Sequence, residues 1–190
     1  MTRFVDRGAI TAAYVGIGMA VTIGVSFLLV IPIEPIYWLL APLAGLMIGY
    51  YANQRANRGR GAWRRVIGNS LFAGLITGLT IAALLLAVKV LFFTADDGYR
   101  DPSLGGQISC ASGADCVYQR YLLADKGPEL AAIGVTDAAS FSRFYWNQQL
   151  TTAGLLLAIT SATGLLGGLT FAITGPRDPQ AVAPGQSSIA

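Results

Sequence analysis

The chain has 190 residues, of which 54% are hydrophobic and 12% charged, whereas a soluble domain is about 25% charged. Its net charge is +3 and it contains no histidine. The charge deficit argues against a soluble fold, and the missing histidine removes the commonest general base and the usual axial ligand of haem.

Four charge-free apolar runs dominate the sequence. They contain 26, 20, 23 and 33 residues and cover Gly8 to Ile33, Pro35 to Gln54, Val66 to Val88 and Phe144 to Pro176. About 20 mostly apolar residues are enough for a helix to cross a bilayer. The runs therefore predict an all-α membrane protein with four transmembrane helices.

Residues 1–93 are expected to form the first three of these helices. Pro32 and Pro35 flank Glu34 and predict a tight turn after the first helix, because proline disfavours helix at the residue before it. A basic loop at 53–65 follows the second helix. The first run is longer than the apolar region of a cleavable signal peptide, about 7–15 residues, so we expect it to be retained.

The rest of the chain is divided between a polar segment, the fourth helix and a tail. Residues 94–143 are acidic and rich in Gly and Pro, and they predict an extracytoplasmic loop domain of about 50 residues, with a short amphipathic helix from Asp115 to Asp125. Thr136 or Asp137 is the expected N-cap of a helix that continues into the membrane segment 144–174. The Pro-, Gly- and Ser-rich tail at 175–190 is expected to be flexible.

The distribution of basic residues predicts the orientation. One side of the predicted membrane carries eight arginines, namely Arg3, Arg7, Arg55, Arg58, Arg60, Arg64, Arg65 and Arg177. The other side carries four basic residues, Arg100, Arg120, Lys126 and Arg143, and most of the acidic ones. By the positive-inside rule, both termini and the 53–65 loop face the cytoplasm. We therefore expect a protein of the plasma membrane, in bacteria the inner membrane.

Two cysteines, Cys110 and Cys116, lie in the polar segment. The predicted topology puts them in an oxidising compartment, where disulfides persist, so we interpret them as a structural disulfide. A redox-active pair would normally have the spacing C-x-x-C. Two cysteines without histidine also do not supply the usual four ligands of a zinc site.

Lys89 is the one charge within the longer apolar stretch from Val66 to Phe93. An ionisable residue within the membrane is a candidate functional site. Lys89 is nevertheless close enough to the predicted outer end of its helix for its side chain to reach the interface. We expect an ion pair, with Glu34 as the first candidate partner, or a contact with lipid or with a partner subunit.

Glycine recurs inside the predicted helices. Gly74 with Gly78, and Gly164 with Gly168, form two G-x-x-x-G patterns. Small residues let helix backbones approach closely in lipid, so these four predict helix packing, either within the protein or against a partner. Aromatic residues near the run ends, including Phe93, Phe141, Tyr145 and Trp146, predict an interfacial belt.

These observations favour a non-catalytic accessory or structural subunit of a larger integral membrane complex. The sequence has no recognisable catalytic motif and predicts no cofactor or metal site and no nucleic-acid partner. The expected partners are the lipid bilayer and other integral membrane subunits. The alternative is a transporter or channel for a small solute or ion, using Lys89 and Glu34. Polar residues near the middle of the predicted helices are compatible with either hypothesis, among them Asn69, Thr77, Thr160, Ser161 and Thr163.

Orientation is the first testable prediction. Single cysteines at position 57 or 104, with the native pair replaced by serine, are treated in intact cells with an impermeant maleimide. We expect labelling at 104 and protection at 57, because the basic loop faces the cytoplasm. Labelling at 57 without labelling at 104 would reverse the orientation.

Overall fold

The computed structural model describes residues 5–29, 34–56, 62–95, 110 and 112–176, and gives only the helical backbone for 26–29 and 34–37. This part of the chain contains helices and no strand: α1 Arg7–Leu29, α2 Glu34–Arg55, α3 Trp63–Ala95, α4 Ala114–Leu123, α5 Gly127–Ala132 and α6 Ala138–Thr174. The expected flexible tail lies outside the described residues from 177 onwards, as does the centre of the basic loop at 57–61.

Three of the described helices are long and apolar enough to cross a membrane. They are Arg7–Val25 within α1, all of α3, and all of α6. The expectation of an all-helical protein with apolar membrane helices is thus confirmed at this level. Helix α2 is the least apolar of the four long helices, because it contains Pro42 and ends in Asn-Gln-Arg, so a fourth span stays a prediction.

The helix boundaries follow the sequence prediction closely, with one addition. Helix α6 runs unbroken over 37 residues from Ala138 into the fourth apolar run, as expected. Helix α3 starts earlier than predicted, at Trp63, and takes Arg64 into its first turn. The predicted helix from Asp115 to Asp125 is followed by a second short helix, α5, which begins at Gly127-Pro128 because proline is tolerated in a first turn.

The described chain forms two compact units. The first, which we call the bundle, comprises Met1–Leu84 and Gly154–Ala190. Small and aliphatic side chains fill its core, where Ala9 and Ala12 of α1 meet Ile48 of α2 and Ala73 of α3. Alanines at these contacts let the helices approach closely, which is how membrane helices gain van der Waals contact.

The second unit, which we call the small unit, comprises Leu85–Ala153. Its core is aromatic: Phe141 is fully buried, and Tyr118, Tyr121 and Tyr145 pack around it with ring centroids 5.0–6.0 Å apart. Phe93 at the end of α3 lies 5.0 Å from both the Tyr145 and the Trp146 rings. Because of these ring contacts, the small unit includes residues on both sides of the predicted loop domain at 94–143.

Helix α6 begins with a reciprocal cap at Asp137. The Ser140 amide donates to Asp137 Oδ1 at 2.6 Å, and the Asp137 amide donates to Ser140 Oγ at 3.2 Å. This arrangement satisfies backbone donors that a helix start leaves unpaired, so Asp137 rather than Thr136 is the N-cap. The hydrogen bonds from the Ser140 amide and hydroxyl lower the pKa of the Asp137 carboxyl below its ordinary value of 3.8.

This lowered pKa predicts a pH-dependent cap. Folding favours the carboxylate, so the stabilisation is present above the unfolded pKa and is lost as pH falls through the lower folded pKa. We expect Asp137→Ala to lower the unfolding temperature at pH 7. The difference in unfolding temperature between the variant and the parent should become smaller below about pH 4. Tryptophan fluorescence of the protein in detergent measures both. Asp137→Asn, which keeps an acceptor but does not titrate, is the matched control. A difference in unfolding temperature between Asp137→Ala and the parent that stays constant with pH would contradict the role of the Asp137 carboxylate as the cap.

Candidate functional site

Glycines bring the backbones of α2, α3 and α6 into contact within the bundle. A methyl group added at Gly49 would overlap the Gly164 carbonyl, and one at Gly167 would overlap the Leu46 carbonyl. A methyl at Gly164 would lie 3.1 Å from Gly74 Cα. Three helices therefore meet around Gly164, at distances that leave little or no room for a side chain.

The remaining two glycines of the G-x-x-x-G patterns also lie at contacts between helices. A methyl at Gly78 would lie 3.1 Å from Thr160 Cβ, and one at Gly168 would overlap Ser70 Oγ. All four pattern glycines thus lie between α3 and α6 or beside Ser70, inside the bundle. By contrast Gly18 and Gly154 have open space on their outer side.

A buried polar network lies between the start of α1 and the ends of α2 and α3. Asn69, which is fully buried, donates from Nδ2 to Asp6 Oδ2 at 2.9 Å, and the Asp6 amide donates back to Asn69 Oδ1 at 3.0 Å. Arg65 donates to the second carboxylate oxygen of Asp6 at 3.2 Å. The segment before α1 is therefore held to α3 by both backbone and side-chain hydrogen bonds.

Asn53 continues this network into α2. Its Nδ2 donates to Ser70 Oγ at 2.7 Å and to the Gly49 carbonyl at 3.0 Å, and its Oδ1 faces Asn69 Nδ2 at 3.5 Å. Ser70 in turn donates to the Val66 carbonyl at 2.8 Å. Buried amides are costly unless they are hydrogen-bonded, and these find their partners inside the bundle.

No sequence pattern predicts that Asp6, Arg65, Asn53 and Ser70 form a group. Asn69 was noted only as a midspan polar residue, whereas it lies near the first turns of α3. The available signals were two asparagines near the ends of apolar runs and Asp6, a rare acidic residue on the basic side. Only the packing of three helix ends reveals that these residues interact.

The buried hydroxyls of the bundle bond to their own helices. Thr77, Thr160, Ser161 and Thr163 each donate to the carbonyl one turn earlier, at 2.7–2.9 Å. This is the common way in which hydroxyls satisfy themselves in membrane helices. These four residues are therefore already satisfied without water or solute.

Lys89 and Glu34 are only partly described. Lys89 is partly buried in α3 and belongs to the small unit, and it makes an interaction within the protein. Glu34 starts α2, and its side chain lies outside the described residues. The pairing of Lys89 with Glu34 accordingly stays a prediction.

Cys110 and Cys116 have their sulfur atoms at bonding distance, and neither cysteine is free. Cys116 is buried in α4, beside Val117 of the aromatic core. The disulfide therefore ties the residue at 110 to the first turn of α4. Among the described residues, no three of the histidine, cysteine, aspartate and glutamate side chains cluster as metal ligands would.

The aromatic residues near the ends of α3 and α6 are not all interfacial. Phe141 and Tyr145 are buried in the small unit and Phe93 is nearly so, whereas a belt residue would face the lipid. Phe141 and Tyr145 face this core together because residues four apart lie on the same side of a helix. Trp38 and Trp63 are exposed and remain compatible with an interfacial position.

Comparison with known proteins leaves the chain without relatives from which a function could be inferred. No protein-family model, no curated protein and no solved structure matches it. Its function must therefore be argued from the contacts described above.

Asn69→Leu tests the polar network. Leucine fills a similar volume but removes two donors and one acceptor, leaving buried partners unsatisfied at a cost of about 1–3 kcal/mol. We expect a lower unfolding temperature in detergent. Asn147→Leu, at an exposed position of α6, is the matched control and should have little effect. Equal destabilisation by the two substitutions would contradict a structural role for the network.

Proposed function

We propose that the chain is an integral protein of the plasma membrane, in bacteria the inner membrane, with four spans and both termini in the cytoplasm. The length of α2, 22 residues, corresponds to about 33 Å of helix and suffices for a fourth span. The contacts of Gly8 with Arg55 and of Asp6 with Arg65 gather the basic helix ends at one end of the bundle. One basic end is what the positive-inside rule requires of the cytoplasmic side. The segment 94–143 with its disulfide then faces an oxidising compartment.

Within this membrane we propose that the protein is a non-catalytic accessory or structural subunit of a larger complex. The observation that carries the proposal is the closed polar network of Asp6, Asn53, Arg65, Asn69 and Ser70. Its donors and acceptors bond to one another and to the backbone. A network that holds helix ends together in this way supports the role of a scaffold.

The packing of the bundle gives less support to the alternative of a transporter or channel. A path for a solute needs space between helices, and the described parts of α2, α3 and α6 touch at backbone level around Gly49, Gly74 and Gly164. The buried hydroxyls that might line a path donate instead to their own helices. Lys89 remains the one residue whose role separates the two hypotheses.

The outward face of α1 supports a neighbouring subunit. Tyr14 is 71% exposed, and its hydroxyl has no hydrogen-bond partner in the described part of the chain. It lies about 10 Å along the helix from Arg7, at a depth where lipid offers few acceptors. Gly18, one turn further on the same face, leaves open space beside it. A partner helix with an acceptor at this level would satisfy the hydroxyl.

Purification from the native membrane in mild detergent tests the proposal. We expect the protein to be recovered in stoichiometric association with other integral membrane subunits. Recovery as a homo-oligomer alone would contradict the accessory role.

Lys89→Met should leave membrane insertion and association with the partner subunits intact, since methionine suits lipid. Loss of a cellular transport activity with assembly intact would favour the transporter.

Tyr14→Phe sharpens the same experiment. It removes only the hydroxyl, and one interhelical hydrogen bond in a membrane is worth about 0.6 kcal/mol, so we expect about threefold weaker association with the partner. Tyr51→Phe, the same change at a partly buried position of α2, is the matched control. An undiminished association for Tyr14→Phe would place the partner on another face.

A further inference from the structure

Three helix ends of the bundle converge on one basic surface. The backbone of Gly8 lies against Arg55 and Ala56, which brings the start of α1 to the end of α2. Arg65, in the first turn of α3, binds Asp6 just before α1. Arg7, Arg55 and Arg64 therefore belong to the same end of the bundle, although they lie far apart in the sequence.

The three arginines are available to bind an anion. Arg7, Arg55 and Arg64 are exposed, and none of them pairs with a carboxylate in the described part of the chain. Asp6, the acidic residue of this surface, is already engaged by Arg65 and Asn69. Among the described residues, no carboxylate therefore offsets the charge of these three arginines.

The residues beside these arginines suit the boundary between water and lipid. Trp63 is 47% exposed and precedes Arg64, and Ile67, one turn further along α3, is also exposed. An indole prefers the headgroup level of a membrane, and an exposed isoleucine prefers the hydrocarbon below it. This order along α3 places Arg64 at the level of the lipid phosphates.

We propose that Arg7, Arg55 and Arg64, with Trp63 beside them, form a binding site for the headgroup of an anionic phospholipid. A guanidinium binds phosphate oxygens through two parallel hydrogen bonds, which a lysine ammonium does not. A zwitterionic headgroup carries its own cation, which the arginine cluster repels. The proposal depends on membrane insertion of the bundle but not on the accessory role, because it needs no partner subunit.

The test measures lipid binding by the full-length protein in detergent, by native mass spectrometry with phosphatidylglycerol or phosphatidylcholine. We expect preferential binding of phosphatidylglycerol. Each of Arg7→Gln, Arg55→Gln and Arg64→Gln should weaken it about fivefold, as expected for one basic residue at a membrane surface. The triple glutamine variant should lose the preference for the anionic lipid.

Two further variants separate site binding from general charge and from misfolding. Arg143→Gln makes the same charge change at an exposed position of the small unit, and it should leave binding within about twofold of the parent. The triple lysine variant keeps the charge and should recover part of the binding lost with glutamine. Arg65 is left unchanged because it holds Asp6.

Several results would overturn the proposal. Equal weakening by Arg143→Gln would show attraction by net charge alone, and unchanged binding in the triple glutamine variant would place the lipid elsewhere. Displacement of the lipid by inorganic phosphate, but not by potassium chloride at the same ionic strength, would assign the site to a soluble anion. Loss of a co-purifying subunit with lipid affinity unchanged would assign the surface to a protein partner.

Discussion

Contact between helix backbones at glycine is the constraint on which the bundle depends. Around Gly164, helices α2, α3 and α6 approach so closely that a methyl group at Gly49 would overlap the Gly164 carbonyl and one at Gly164 would lie 3.1 Å from Gly74 Cα. In lipid there is little hydrophobic gain from bringing apolar helices together, so close van der Waals packing must supply the attraction. The contact between α2 and α3 also brings the polar side chains at their ends within reach of one another.

The polar network is one consequence of that proximity. Asn53, Asn69 and Ser70 lie within hydrogen-bond distance because α2 and α3 meet at Gly49, whose carbonyl accepts from Asn53 and lies 3.1 Å from Ser70 Oγ. Asp6 then connects the start of α1 to the same network. These bonds satisfy buried polar groups that would otherwise destabilise the fold, and they fix the relative position of three helix ends. The basic surface formed by those ends follows directly from this arrangement.

The small unit is stabilised by a different kind of packing. Its core consists of aromatic rings contributed by α3, α4 and α6, with Phe141 at its centre. The cap at Asp137 and the disulfide between Cys110 and Cys116 fix the start of α6 and the start of α4. A unit with few residues compensates for its small core with such local restraints.

The sequence by itself determined the helical class, the long apolar helices and the start of α6 at Thr136 or Asp137, because each depends on a pattern within one segment. The bounds of a helix depend on the length of its apolar run, on proline and glycine at its ends, and on its capping residue. All of these lie within one segment, so α6 and α4 were predicted nearly as they occur. The start of α5 at Gly127 was missed, since the same Gly-Pro pair is compatible with the end of one helix and the start of another.

Only the tertiary structure decided which polar and aromatic residues come together. Asp6 and Asn69 are separated by 63 residues, and their pairing depends on helix packing that no local pattern encodes. The same is true of Phe141 and Tyr145, which occur near a run end as an interfacial residue would and are nevertheless buried by α3 and α4. G-x-x-x-G patterns indicated that helices pack closely, but which helix meets which glycine depends on the three-dimensional arrangement of all of them.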